Sequence, residues 1–150
     1  MEENSERMQA QAQRGKDLAY LTVFPGDYDP NLEYPLIIML HGFGANMYDL
    51  ADLASVIESR GYLYLCPNAP IPVQVGPGML GFAWTRPGDD NPEQAQRTEQ
   101  KLEGFLGEAM EQYPAAQGRS LLLGFSQGGG LTYRFGLPRP DRFAALVALS

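Results

Sequence analysis

Apolar residues in this chain gather in short continuous runs, separated by longer stretches in which they recur every three to four positions. Pro35-Leu36-Ile37-Ile38-Met39-Leu40 is the densest run, and unbroken apolarity of that length reads as a strand buried on both faces of a parallel sheet. Leu18 to Phe24, Tyr62 to Cys66, Ser120 to Phe125 and Phe143 to Leu149 are further strand-like runs, bounded by Gly, Pro or polar turn residues. Leu50, Leu53, Ala54 and Ile57 share one face of a helix predicted over Met47 to Arg60, with Asn46 as N-cap and Gly61 as its stop. A second helix is predicted from Asn91-Pro92, Asn capping and Pro in the first turn. Its inner face is Ala95, Thr98, Leu102, Phe105, Ala109 and Tyr113, and Pro114 ends it. A short third helix is predicted over Gln127 to Phe135.

Strands alternating with helices predict a three-layer α/β domain with a mostly parallel sheet. Counting strands from Leu18 to Phe24, the expected spatial order is first, third, second, fourth, fifth, with the first antiparallel to the rest. Phe143 to Leu149 is then left as an apolar edge, a geometry that soluble proteins usually cover or charge. Met1 to Lys16 is polar and Gln-rich and is expected to be a mobile tail, leaving residues 17–150 as the folded unit. Pro70 to Asp90, dense in Pro and Gly around Trp84, is expected to be a long excursion without regular structure that walls a site.

Composition narrows the function classes. A 44% hydrophobic, 19% charged chain of 150 residues is globular rather than disordered. Its net charge of -7 disfavours nucleic acid and anionic membranes, whose phosphates draw on clustered Lys and Arg. The single cysteine, Cys66, excludes an intrachain disulfide framework and a multi-Cys zinc site; lying in an apolar run, it reads as a core residue. The first residues hold no apolar signal segment, so no membrane anchor is expected and a cytoplasmic setting is the default.

Two glycine-rich segments carry chemistry. Gly124-Phe125-Ser126-Gln127-Gly128-Gly129 lies between a strand and a helix, the context that G-x-S-x-G requires. Ser126 is the candidate nucleophile, lifted onto a sharp turn whose small neighbours, Gly124 and Gly128, let the chain fold back. His41-Gly42-Phe43-Gly44-Ala45-Asn46 follows the densest strand and has the pattern of an oxyanion loop. The backbone N–H groups of Phe43 and Gln127 are the candidate donors to a tetrahedral oxyanion. Nucleotide readings fail: no Gly-Lys-Ser/Thr follows the first segment, and Met47 stands where a dinucleotide loop needs its third glycine. Trp84 is a candidate substrate contact, with packing against the core as the alternative. Asp49, Asp52, Asp89 and Asp90 read as helix-start or loop carboxylates.

These segments, with Pro67-Asn68-Ala69-Pro70, Trp84 and Arg142 to Ser150, resemble the phospholipase/carboxylesterase branch of the α/β-hydrolase superfamily, which includes acyl-protein thioesterase-like enzymes. The resemblance spans about Asp17 to Ser150. It implies a three-layer α/β-hydrolase sheet, incomplete at its C-terminal edge, and a serine hydrolase cleaving esters or thioesters through an acyl-enzyme on Ser126. No cofactor or metal is implied, and the partner is a small-molecule substrate. In the family the triad acid and histidine follow later strands, so both are expected beyond Ser150; the chain's only histidine, His41, falls in the oxyanion loop and is expected to be structural, with a Ser-His dyad as the alternative. Two other readings compete: a non-catalytic hydrolase-like module that binds a ligand, and a chain completed by a second one, with self-association through the C-terminal edge strand.

Overall fold

The computed structural model describes residues 7–113 and 118–150. In chain order the elements are strands β1 (Gln9–Arg14), β2 (Ala19–Phe24) and β3 (Leu36–Leu40), helix α1 (Leu53–Ile57), strands β4 (Leu63–Pro67), β5 (Ile71–Gly76) and β6 (Met79–Ala83), helix α2 (Pro92–Gln112), strand β7 (Leu121–Phe125), helix α3 (Gln127–Gly136) and strand β8 (Ala145–Leu149). Six strands form one sheet in the order β1-β2-β4-β3-β7-β8, while β5 and β6 pair separately. The five strands predicted from the sequence follow the expected order, β2 antiparallel to β4 and the others parallel.

Period-two alternation divides the sheet into two buried faces. Leu36, Ile38, Leu40, Leu63, Leu65 and Leu122 point to one side and pack with Leu102, Phe105, Leu106 and Ala109 of α2 and Leu131 and Phe135 of α3. Ile37, Met39, Tyr64, Cys66 and Leu123 point to the other and meet Leu50 and Ala54. Each such large side chain taken out of water contributes about 1.5–3 kcal/mol, offsetting the entropy of ordering the strands. The result is three layers whose central strands are apolar throughout.

Register brings the chemistry to one end of the sheet. Leu40 at the end of β3 pairs with Gly124, which pairs in turn with Ala148 near the end of β8. Both glycine-rich segments therefore leave adjacent strands at the same level.

Three expectations are corrected. The polar stretch expected as a mobile tail contains β1, which runs antiparallel to β2 from Gln9–Phe24 to Arg14–Ala19; residues 1–6 lie outside the described ones. An edge strand needs backbone partners more than apolar side chains, and Gln13 adds bonds to Thr22 (3.2 Å) and Tyr113 (2.5 Å). The Pro70 to Asp90 excursion contains the β5–β6 hairpin. The helix expected over Met47 to Arg60 is only the five residues of α1, its cap position held by Asp52 rather than Asn46. Asn46 Oδ1 instead accepts the Tyr48 N–H (2.9 Å), and successive three-residue bonds, such as Leu53 N–H to Leu50 O (3.0 Å), carry the chain in turns before α1 begins. The apolar spacing was nonetheless informative, since Leu50 and Ala54 are buried.

The second predicted helix is α2, with the Asn91 side chain accepting the Glu93 N–H (3.0 Å) as its cap. Its expected stop, Pro114, lies outside the described residues.

Candidate active site

Ser126 sits between β7 and α3 with φ 56° and ψ -113°, the only non-glycine residue at positive φ among those described. The backbone there is pinned on both sides: Ser126 N–H donates to Leu149 O (2.7 Å), and Ser126 O accepts the Gly130 N–H (3.2 Å). The flanking glycines are required by contact. A Cβ on Gly124 would collide with the Gly128 carbonyl and Thr132 Oγ1, and one on Gly128 with the carbonyls of Leu40 and His41. Thr132 Oγ1 closes the corner by donating to Gly128 O (2.9 Å). Ser126 itself is exposed.

The His41–Ala45 loop lies directly against this corner. A Cβ built on Gly42 would stand 3.5 Å from Ser126 Cβ and 3.3 Å from Phe125 O, so the loop runs in contact range of the serine corner. Gly44, at φ 80°, turns the loop back. The Gly44 N–H donates to Phe82 O (2.8 Å) and the Phe82 N–H to Ala45 O (2.9 Å), while the Phe43 and Gln127 N–H groups bond no other backbone group among the described residues. Gln127 opens α3, where the first N–H groups have no partner within the helix and the helix dipole favours negative charge.

His41 is buried and both its ring nitrogens are engaged. The Ala69 N–H donates to Nε2 (3.0 Å), and Nδ1 lies 2.8 Å from Gly42 O. Because a backbone N–H can only donate, Nε2 is the acceptor and Nδ1 carries the proton. Burial holds this imidazole below its ordinary pKa of 6.5, against the opposing pull of the Gly42 hydrogen bond and the Asp49 charge. Neither nitrogen is free to take a proton from Ser126.

Trp84, expected as a substrate contact, is fully buried. Its ring lies 5.3 Å from that of His41, and Nε1–H donates to His41 O (2.8 Å). The ring pins the loop, as the core-packing alternative expects. A pocket of about 370 Å³ opens beside the serine rather than over it, between Thr85, Ala95, Gln127, Leu131 and Arg134, with Trp84 at its edge. Arg134 is held there by Glu99 at 2.6 Å.

The role of the β5–β6 hairpin and of the Gln127 side chain was missed. One signal was present: an isolated glycine in a strand marks close backbone approach, and Gly81 faces the Gly44 carbonyl where a Cβ would overlap. Among the described residues no group of three or more His, Cys, Asp or Glu could hold a metal ion, and no helix is long and apolar enough to cross a membrane. The Cys66 thiol is buried and pushed up to about 12, far from a reactive thiolate.

The chain is similar to acyl-protein thioesterase 1 homolog 1 of Dictyostelium discoideum, 29% identical over 125 residues covering 76% of this chain and 55% of that protein. It is also similar to feruloyl esterase C of Emericella nidulans, 27% identical over 135 residues covering 87% of this chain and 45% of the relative. It thus spans about half the length of these curated relatives. Among solved structures, a carboxylesterase from Mesorhizobium loti superposes with a TM-score of 0.71 at 18% identity, over 94% of this chain and 67% of that one. That likeness shows the fold, a mostly parallel α/β-hydrolase sheet. The family model for Phospholipase/Carboxylesterase matches residues 29–150, and the chain belongs to that family.

Proposed function

We propose that this chain carries the nucleophile and oxyanion hole of a serine hydrolase that cleaves carboxylic esters or thioesters. The observation that carries this reading is the Ser126 corner, a non-glycine residue held at φ 56° and ψ -113° against the Gly42 loop. The names of the two curated relatives, a thioesterase and an esterase, support the bond type. In this mechanism Ser126 Oγ attacks the substrate carbonyl carbon as its proton passes to a base. The carbonyl oxygen becomes an oxyanion accepting hydrogen bonds from the Phe43 and Gln127 N–H groups. Collapse expels the alcohol or thiol with a returned proton, and water then cleaves the acyl-enzyme by the same steps.

His41 is not that base, because Ala69 and Gly42 occupy both its nitrogens. In this reading, as the family resemblance implies, the base and its orienting acid are supplied by sequence outside these 150 residues. An oxyanion donor typically contributes about 10²- to 10³-fold in rate, and a hole without its triad retains roughly 10³- to 10⁴-fold over water, so residues 1–150 alone are expected to be nearly inert. A cytoplasmic setting is part of this reading, supported by the lone, buried Cys66.

The test is labelling of the full-length protein with a fluorophosphonate. Modification is expected at Ser126, absent in Ser126→Ala, together with turnover of a p-nitrophenyl ester. A folded full-length protein that neither reacts nor turns over small esters and thioesters overturns the proposal.

A further inference from the structure

The two amides required by the proposed reaction belong to different segments, and four consecutive residues, Phe82 to Thr85, join those segments. Phe82 forms a two-bond bridge to the loop immediately after Phe43: its carbonyl accepts from Gly44 N–H (2.8 Å) and its N–H donates to Ala45 O (2.9 Å). Two residues later, Trp84 Nε1–H grips the same loop before Gly42, at His41 O (2.8 Å). Phe43 is thus bracketed on both sides by one strap.

The other end of the strap holds Gln127 by its side chain. Trp84 N–H donates to Gln127 Oε1 (2.7 Å), and Gln127 Nε2 donates to Thr85 O (2.9 Å) and to Thr85 Oγ1 (3.1 Å). Both ends of the side-chain amide are held by the strap. The residue whose backbone N–H is the second oxyanion donor is therefore fastened to the segment that fixes the first. Thr98 Oγ1 anchors the strap to α2 through Trp84 O (2.8 Å). The buried indole donor is costly to leave unpaired, so this arrangement is rigid rather than incidental.

We infer that Trp84 and the side chain of Gln127 are positioning residues for the oxyanion hole, setting the separation of the Phe43 and Gln127 amides. The inference rests on the serine-hydrolase reading. Its distinguishing consequence is that the strap acts on the oxyanion, which develops in the transition state and is absent from the bound substrate, and leaves ground-state binding alone.

The experiment compares full-length wild type with Trp84→Phe, which keeps a ring but loses Nε1–H, and Gln127→Met, which keeps the backbone amide but loses all three side-chain bonds. Each is assayed for kcat and KM on a p-nitrophenyl ester, and for affinity towards a trifluoromethyl ketone that mimics the tetrahedral oxyanion. Displacing an oriented group by about 1 Å costs on the order of 100-fold, so kcat is expected to fall roughly 10- to 100-fold. KM should stay within about twofold, and ketone affinity should weaken in parallel with kcat. Folded variants with wild-type kcat and ketone affinity, or ones whose loss lies in KM, overturn the inference. If Trp84→Phe does not fold, Gln127→Met, altered at a partly exposed helix start, decides the matter by the same readouts. A wild-type protein inert to ester and fluorophosphonate overturns the hydrolase reading itself, whereas an active wild type with indifferent variants overturns only this inference.

Discussion

At Ser126 the chain holds a Cβ-bearing residue where backbone and side chain crowd each other, a conformation costing on the order of 1–3 kcal/mol. That strain is offset locally, by the Leu149 and Gly130 hydrogen bonds and the close interlock of Gly124 with Gly128. Ser126→Gly is therefore expected to raise stability by about 1 kcal/mol while abolishing labelling, whereas Ser126→Ala, which keeps the Cβ, abolishes labelling without that gain. Urea midpoints of the three proteins check this, and a glycine variant no more stable than the alanine one refutes stored strain. His41 makes a second prediction. Its folded pKa lies below the ordinary 6.5 because burial disfavours the charged ring, so the unfolded chain binds the proton more readily. The stability this contributes is complete above about pH 6.5 and is lost as pH falls towards the folded value, at up to about 1.4 kcal/mol per pH unit. Urea midpoints measured from pH 7.5 to 5 should fall more steeply for wild type than for His41→Gln; equal slopes would show that His41 protonates as easily folded as unfolded.

Among elements, legibility followed how far a segment's own side chains dictate its state. β3, β7 and α2 were readable because each faces the core along a full apolar run or helical stripe. β1 was not, because Gln9–Arg14 alternates Gln only with small Ala, buries almost nothing, and becomes a strand by completing the hydrogen bonds of β2. The β5–β6 hairpin carried a quieter signal. Pro77-Gly78 joins its strands with Gly78 at φ 70°, and a Pro-Gly pair is the sequence of a turn needing positive φ at its third position. Pro72 within β5 and the half-exposed pattern of both strands concealed the run. The same contrast governs the site. Ser126 and the two glycine-rich loops were legible because sterics force small residues at fixed spacing. The strap was illegible because the bonds of Trp84 and Gln127 join residues 43 positions apart in sequence, a distance across which no local pattern operates.

At the scale of the molecule, the two edges of the sheet differ in chemistry. β1 ends one side as Gln-Ala-Gln-Ala-Gln-Arg, with no large apolar side chain and one charge, Arg14, of the kind that opposes pairing at an edge. β8 ends the other as Ala-Leu-Val-Ala-Leu, with Val147 36% and Leu149 42% exposed, and among the described residues it pairs only with β7. That strand also supports the chemistry, since Leu149 O receives the Ser126 N–H at 2.7 Å. An open, apolar edge is a template for strand addition, so residues 1–150 expressed alone are expected to self-associate through β8. A lysine in such an edge opposes pairing by charge and desolvation, which makes Val147→Lys the informative variant. Sedimentation velocity across a range of concentrations should show wild-type residues 1–150 shifting to larger species as concentration rises, while Val147→Lys remains monomeric with an unchanged far-UV spectrum. A wild-type chain that stays monomeric throughout, or a lysine variant that associates equally well, would place the contact elsewhere and show that β8 is not adhesive.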